Sequence, residues 1–344
     1  MDDKKTNIIL QIDVHHKRKD WNHYLEEFQG ENIFQSYEWG ELKKGEDWKV
    51  LRILITRQQK TKPIPILLAQ VLVKKVFGIK IAWCPGGPIL QTSTVEVLET
   101  ALKKFTEKIF SENIFNLRCN PYIENTSDNK KIFTEFSKPE YTLTSPKTII
   151  VDVRSEKDFL ESIKKKHRYY VKQAQKHNLE WKIYYGSEAS QNFLLVYEQM
   201  VANKQLNFDL IDIQSFSKLL GNTKGGNPRV FCLAGIKSNK PIVACIISLL
   251  SEKAFYHYAA SSKQARETFA SYEMIYELMK ELSKMGIKKM DFGGISDDSS
   301  SAGVDFFKSG FNGKTFEKIG EFDISKSGMK SYLFGKAIQF RYKK

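Results

Sequence analysis

One phrase occurs twice in this 344-residue chain and limits what it can fold into. Val50-Leu51-Arg52-Ile53-Leu54-Ile55, a polar turn and Lys62-Pro63-Ile64-Pro65-Ile66-Leu67-Leu68-Ala69 make the first copy. Val230-Phe231-Cys232-Leu233-Ala234, a turn at Ser238-Asn239 and Lys240-Pro241-Ile242-Val243-Ala244-Cys245 make the second. Both read as β-hairpins, with proline at the start of the second strand, where its missing donor is tolerated. The order that follows also repeats: a strand (79–83; 254–258), an amphipathic helix, then another strand (114–118; 287–292). Val97, Leu98, Ala101, Leu102, Phe105 and Ile109 recur at helical spacing in the first helix, and Ile275, Leu278, Met279, Leu282 and Met285 in the second. Pro63 and Pro241 stand 178 residues apart, and Ile114 and Ile287 stand 173 apart. So constant an interval predicts tandem copies of one fold.

Each copy is an antiparallel meander followed by a strand, helix and strand crossover, which is the plan of an acetyltransferase-like (GNAT) α/β domain. The predicted fold class is therefore α/β, with two tandem domains of mixed sheet and flanking helices. Pro139 and Pro146 punctuate the segment Tyr141 to Lys147, and a new strand starts at Thr148, so the linker is placed there. A hydrophobic content of 41% and an aromatic content of 12% supply the cores and argue against a disordered chain.

The formal charge is +14, from 54 Lys and Arg against 40 Asp and Glu. Either polyanions are the partners or the composition is simply lysine-rich, and local clustering has to decide. Cys84, Cys119, Cys232 and Cys245 sit singly in apolar surroundings without Cys-x-x-Cys spacing, which predicts reduced core thiols. The six histidines form no metal pattern, so no metal is expected. Met1-Asp2-Asp3-Lys4-Lys5 does not read as a signal peptide, and the longest apolar run, Ile242 to Leu250, is about half of what spans a bilayer. A soluble, cytoplasmic protein is the expectation.

Three familiar motifs fail on context. Asp291-Phe292-Gly293 has no kinase catalytic loop before it, Gly221 to Gly226 lacks P-loop spacing, and no Gly-x-Ser-x-Gly elbow exists. Acyl-CoA enzymes of this fold cradle a pyrophosphate on the amides of a glycine-rich turn. Here those turns read Cys84-Pro85-Gly86-Gly87-Pro88, where proline removes donors, and Ser261 to Phe269, which has no glycine. Acetyl-CoA is disfavoured, and no cofactor is predicted.

The strand Lys288-Lys289-Met290-Asp291-Phe292-Gly293-Gly294-Ile295 ends on two glycines and leads to Phe306-Phe307-Lys308-Ser309-Gly310-Phe311, the pattern of a backbone brought close to a ligand. From Lys164 to Lys176 there are six basic residues and no acids. Phe159, Leu160, Ile163, Tyr170, Val171 and Ala174 make an apolar stripe, Lys165, Arg168, Lys172 and Lys176 lie on another face, and Asn178 supplies a left-handed cap. This basic amphipathic helix is either a phosphate or nucleic-acid contact or a solvated face; Arg168, nearest the apolar border, is expected to have a fixed structural partner. The run Lys326 to Lys344 is also basic and aromatic; RNA, anionic lipid or a frayed terminus fit it equally.

Taken in series, Phe34-Gln35-Ser36-Tyr37-Glu38-Trp39-Gly40-Glu41-Leu42-Lys43, Pro85-Gly86-Gly87-Pro88, Lys166-x-Arg168-x-x-Val171-x-x-Ala174, Asp291-Phe292-Gly293-Gly294, Phe307-Lys308-Ser309-Gly310-Phe311 and Gly320-Glu321-Phe322-Asp323 resemble the FemABX peptidoglycan-bridge aminoacyltransferases. The likeness covers most of the chain and is to the compact, arm-less, FemX-like type, since no sustained charged heptad run marks a coiled-coil arm. The resemblance implies two GNAT-like domains, the chain returning at its end to complete the first: residues 1–147 plus 320–344, on the precursor side, and 148–319, on the aminoacyl-tRNA side. It implies transfer of an amino acid, of which Gly, Ala and Ser are the small candidates, from aminoacyl-tRNA to the stem-peptide side-chain amine of UDP-MurNAc-pentapeptide or lipid II. No cofactor or metal is implied, and peripheral contact with the inner face of an anionic membrane is.

By the same resemblance Lys43, beside Trp39, holds the precursor phosphates as a point charge on an aromatic platform. Lys204 stands where the family usually has a second, arginine contact, and Tyr258 helps to position the precursor. Lys308 serves the acyl-tRNA end by stabilising the oxyanion or the leaving ribose oxygen, Phe307 stacks on the terminal adenine, and Lys165, Arg168 and Lys172 contact the tRNA. One departure is Asn120-Pro121, where the family commonly has an aspartate that accepts the amine proton. Asparagine is no base at neutral pH, so proton transfer assisted by the substrate is expected. The alternatives are an N-acyltransferase with another activated donor and a non-catalytic tRNA- or membrane-binding relative.

Overall fold

The computed structural model describes residues 9–14, 17–28, 32–59, 62–204, 229–295, 302–325 and 336. Two units divide the chain, residues 1–146 with 317–344 and residues 147–316. Each has its own sheet and its own hydrophobic core.

In the first unit β1 (Leu10–Val14), β2 (Lys49–Arg57), β3 (Ile64–Val76) and β4 (Ile79–Cys84) form an antiparallel meander, with β5 (Ile89–Leu90) also paired to β3. Helices α1 (Arg18–Glu27) and α2 (Tyr37–Lys44) lie between β1 and β2. Helix α3 (Val95–Ser111) crosses over to β6 (Ile114–Cys119), which runs parallel to β4. After α4 (Ser127–Ile132), β14 (Phe322–Ser325) from the end of the described chain pairs antiparallel with β6.

The second unit begins with β7 (Lys147–Asp152), α5 (Glu156–Ser162), α6 (Lys165–Gln175), β8 (Glu180–Tyr184) and α7 (Gly186–Lys204). The meander β8, β9 (Arg229–Lys237), β10 (Lys240–Leu250) and β11 (Lys253–Ser261) follows the same plan. Helices α8 (Lys263–Glu267) and α9 (Ala270–Lys284) then lead to β12 (Lys289–Ile295), parallel to β11. Here the antiparallel neighbour of the crossover strand is β7, and α10 (Ala302–Ser309) and β13 (Lys314–Glu317) complete the unit. Two tandem acetyltransferase-like sheets are thus present, and no long helical hairpin occurs among the described residues.

Local chemistry explains the repeat. Ser238 and Asn239 (φ 50 and 61) are both left-handed, as a two-residue type I′ hairpin needs. The second strand of each hairpin carries one extra residue directly after a proline, Ile66 after Pro65 and Ile242 after Pro241, so both copies are bulged at the same place. Helix α3 buries the Val97, Leu98, Ala101, Leu102, Phe105 and Ile109 stripe, and α9 buries Met274, Ile275, Leu278, Met279 and Leu282. Each Val, Leu, Ile, Phe or Met among them contributes about 1.5–3 kcal/mol on burial, which is what fixes these helices on their sheets. All four cysteines are free and buried.

The apolar stripe that begins at Phe159 is carried by two helices. Ile163 is extended (φ −79, ψ 156) and ends α5, and α6 restarts after Lys164. Asn178 (φ 49) then turns the chain left-handed beyond α6. The run Lys326 to Lys344 lies outside the described residues except for Lys336, which pairs with Glu140 at 3.3 Å. The Gly221 to Gly226 stretch and the Lys204 side chain lie outside them too.

Candidate active site

In the second unit the parallel pair β11 and β12 is short. Only Lys253/Lys289, Ala254/Met290 and Phe255/Asp291 are in register, and beyond them the two strands share no ladder. Bulges on both outer sides drive them apart: β11 has one extra residue, His257, against β10, and β12 shifts against β7 between Asp291 and Gly294. Gly293 sits at φ 76, a left-handed conformation that glycine adopts without cost, and its N–H donates to Asp291 Oδ1 at 2.7 Å. The Thr148 hydroxyl donates to the same oxygen.

Lys308, on α10, closes this opening from one side. Its ammonium donates to the Gly294 carbonyl at 2.6 Å and would lie 3.8 Å from a Cβ at Gly293. Burial pulls the Lys308 pKa below its ordinary value, while Asp291 and Asp305 act to raise it. The site therefore holds a half-desolvated cation beside a bare glycine backbone, an arrangement suited to an oxyanion. Phe307 is half-buried, edge-on to Tyr272 (5.1 Å) and Phe311 (5.1 Å). Its neighbour Phe306, part of the sequence motif but given no role of its own there, is 46% exposed with Lys166 Nζ 5.2 Å from its ring.

A residue the sequence reading missed is His167, on α6. Its ring is buried, Nε2 lies 3.0 Å from the Phe307 carbonyl, and Nδ1 has no partner among the described residues. That carbonyl only accepts, so Nε2 carries a proton; burial, the largest cause, lowers the ring's pKa. A Cβ at Gly310 would fall 1.9 Å from the ring, which is why glycine follows Lys308-Ser309. The Lys164 N–H also donates to Gly310 O at 3.0 Å. Together these contacts fix α10, and with it Lys308, on the start of α6. The only local signal was the glycine itself.

Lys165 and Lys172 are exposed along α6 and Arg168 is half-exposed. Against expectation, Arg168 has no side-chain partner among the described residues, because the neighbouring positions that face the core are His167 and Val171. Tyr258, on β11, lies 6.3 Å from Phe193 of α7.

In the first unit, α2 brings Lys43 and Trp39 together, with Nζ 4.9 Å from the indole centroid. The same ammonium is 2.8 Å from Glu46 Oε2, so an incoming phosphate would have to displace that carboxylate. Trp39 is held edge-on by Phe34 at 5.0 Å. Beneath them lies a buried polar knot. Gln35 accepts the Gln70 N–H (2.6 Å) and donates to Pro85 O (2.8 Å), and Gln70 accepts from Arg52 Nε (2.8 Å). A Cβ at Gly40 would lie 2.3 Å from Gln70 Oε1, so the glycine after Trp39 serves packing.

Asn120 belongs to this framework as well. Its Oδ1 accepts the Gly86 N–H at 2.6 Å, and Asn32 Nδ2 donates to Gly86 O at 2.8 Å, so the Pro85-Gly86-Gly87-Pro88 turn is bolted from two sides. Behind it Arg118 grips Asp323 through two bonds of 2.8 and 2.6 Å, and Glu321 Oε1 accepts from the Leu143 and Thr144 amides. No group of three or more metal-ligating side chains occurs among the described residues.

Solved structures place the fold among tandem acetyltransferase-like proteins. The crystal structure of FemX matches with a TM-score of 0.75 at 17% identity, covering 97% of this chain and 100% of that one. A tandem GNAT protein from the clavulanic acid pathway matches with a TM-score of 0.53 at 6% identity, over 93% of this chain and 99% of that one. The FemAB family model matches residues 17–146 and 234–338, more than half of the chain, and the protein belongs to that family. A lipid II:glycine glycyltransferase of Staphylococcus haemolyticus is 37% identical over 82 residues, which is 23% of this chain and 20% of the relative. The Staphylococcus aureus protein of that name is 34% identical over the same coverage. The matched segment thus spans 20% of the length of these curated relatives.

Proposed function

We propose that this protein is an aminoacyltransferase that moves a small amino acid from aminoacyl-tRNA to the side-chain amine of a peptidoglycan precursor, extending an interpeptide bridge. Membership in the FemAB family and the names of its glycyltransferase relatives support the reaction class. The observation that carries it is the half-buried Lys308 ammonium beside the opened Gly293-Gly294 backbone.

In this reading the ester carbonyl of the charged tRNA enters the splay between β11 and β12. The precursor amine attacks it, negative charge grows on the carbonyl oxygen, and Lys308 stabilises that charge or the departing ribose oxygen. The 46%-exposed Phe306, rather than Phe307 alone, offers a face to the terminal base. Lys165, Arg168 and Lys172 take tRNA phosphates. Lys43 and Trp39 take the precursor diphosphate once Glu46 is displaced, and Lys204 and Tyr258 are the second unit's own candidates for precursor contact. Asn120 acts as the clamp of the Gly86 turn, so the amine proton passes to the leaving ribose oxygen.

The test is transfer of radiolabelled amino acids from a charged total-tRNA pool to purified nucleotide-linked and lipid-linked muropeptides. Label on either precursor, lost in Lys308→Ala, supports the reading and identifies donor and acceptor. Charged tRNA bound without label on either precursor would refute it in favour of a non-catalytic relative.

A further inference from the structure

The β3–β4 hairpin ends in a feature that the site does not use. Its turn is Phe77-Gly78, both left-handed at φ 47 and 81. A bulky residue is uncommon in that conformation, and Asn or Gly would make the same turn more easily. Phe77 is nevertheless there, and it is 99% exposed.

Behind the tip the cross-strand pairs are Val76/Ile79 and then Lys75/Lys80. Ile79 is 46% exposed, so the tip is an apolar knuckle. Two lysines directly opposite each other repel and weaken a hairpin unless an anion sits between them. Lys75 is exposed, and Lys80 Nζ keeps one bond, to the Glu112 carbonyl at 2.8 Å. With Gly78, Ile79, Asn113 and Phe115, the two lysines line an open pocket of 390 Å³. Glu112, whose carbonyl takes Lys80, has its carboxylate paired with Lys108 at 2.7 Å.

We infer that this hairpin tip docks on an anionic lipid bilayer, Phe77 and Ile79 entering the headgroup boundary while Lys75 and Lys80 take a lipid phosphate between them. An aromatic tip with a cationic collar is the chemistry of an interfacial anchor. Two protruding side chains are far too little apolar surface for a stable protein interface, which needs roughly 800 Å² from each partner. The formal charge of +14 adds long-range attraction to an acidic leaflet. No described helix is long and apolar enough to cross a membrane. The inference extends the proposed function toward a lipid-linked acceptor, and vesicle binding can be measured with neither tRNA nor precursor present.

Because all four native cysteines are buried, Phe77→Cys in the full chain can carry a single environment-sensitive fluorophore. Vesicles of phosphatidylcholine with one quarter phosphatidylglycerol are expected to shift its emission to the blue and to expose it to bilayer-embedded quenchers; pure phosphatidylcholine is not. In co-sedimentation, Phe77→Ala should bind the anionic vesicles about tenfold more weakly and Lys75→Ala about fivefold more weakly, with unchanged melting temperatures. Vesicle binding with a label that stays in water, or unaltered binding by Phe77→Ala, would assign the contact to another surface and overturn the inference. A label that responds to tRNA and not to vesicles would make the tip an RNA contact, and no binding to anionic vesicles would remove the membrane role outright.

Discussion

The two parallel strand pairs of this protein are built alike and finished differently. In the first unit β4 and β6 stay in register through Cys84/Cys119, and the turn beyond is bolted by Asn120 and Asn32. In the second, β11 and β12 part after Phe255/Asp291, with a bulge on each outer side. One copy carries its parallel pairing through to the turn; in the other the pairing stops short, and the Gly294 carbonyl there takes the Lys308 ammonium instead. The contrast lies in how far the parallel pairing runs, and the proposed site lies where it stops in the second unit.

The largest effect expected from breaking this comparison is on the closed copy. Arg118→Ala leaves Asp323 buried and uncompensated and should cost about 3–5 kcal/mol in urea unfolding, while Lys308→Ala barely moves that transition. Next, Lys308→Ala should lower the transfer rate about 10²–10³-fold at unchanged precursor binding. Because the reaction needs the ammonium and burial lowers its pKa, activity should fall with rising pH earlier than a free lysine would predict. Asp291→Asn removes a group that raises that pKa and should move the alkaline limb lower still.

Gly310→Ala drives a methyl into the His167 ring and should cost about 1–3 kcal/mol, with transfer reduced although Lys308 is intact. His257, at the β11 bulge, is held by burial at a pKa of about 3. Below pH ~6.5 the unfolded chain takes the proton that the folded one refuses, so stability should drop by about 1.4 kcal/mol per pH unit. His257→Gln should flatten that slope in thermal melts across pH 4 to ~6.5, where a slope equal to the wild type's would contradict the assignment. Smallest is Gly293→Ala, about 1 kcal/mol from the left-handed φ of 76, with the new methyl 3.3 Å from Tyr256 O inside the splay.

What could be read from sequence follows the range of the interactions. The hairpins, α3, α9 and the Asn178 turn are written in neighbouring residues, as periodicity and turn chemistry, and they are where the pattern put them. The break at Ile163 was less visible because the apolar stripe runs straight through it. The Gln35, Gln70 and Arg52 knot and the His167 contact with Phe307 join residues far apart in the chain, and no local pattern announces them. Which phenylalanine of Phe306-Phe307 faces water depends on how α10 is turned, and His167 and Gly310 decide that. The splay itself is an absence of pairing, which composition cannot encode.

The most direct test of the account is amide hydrogen exchange with and without a short acceptor-stem RNA carrying an ester-linked amino acid. Protection is predicted to rise over Tyr256–Ala260 and Phe292–Ile295, with no change along β4 and β6. Protection that appears instead at the Gly86 turn and β6, or equally with the uncharged RNA, would contradict the claim that the opened strand pair of the second unit receives the aminoacyl end.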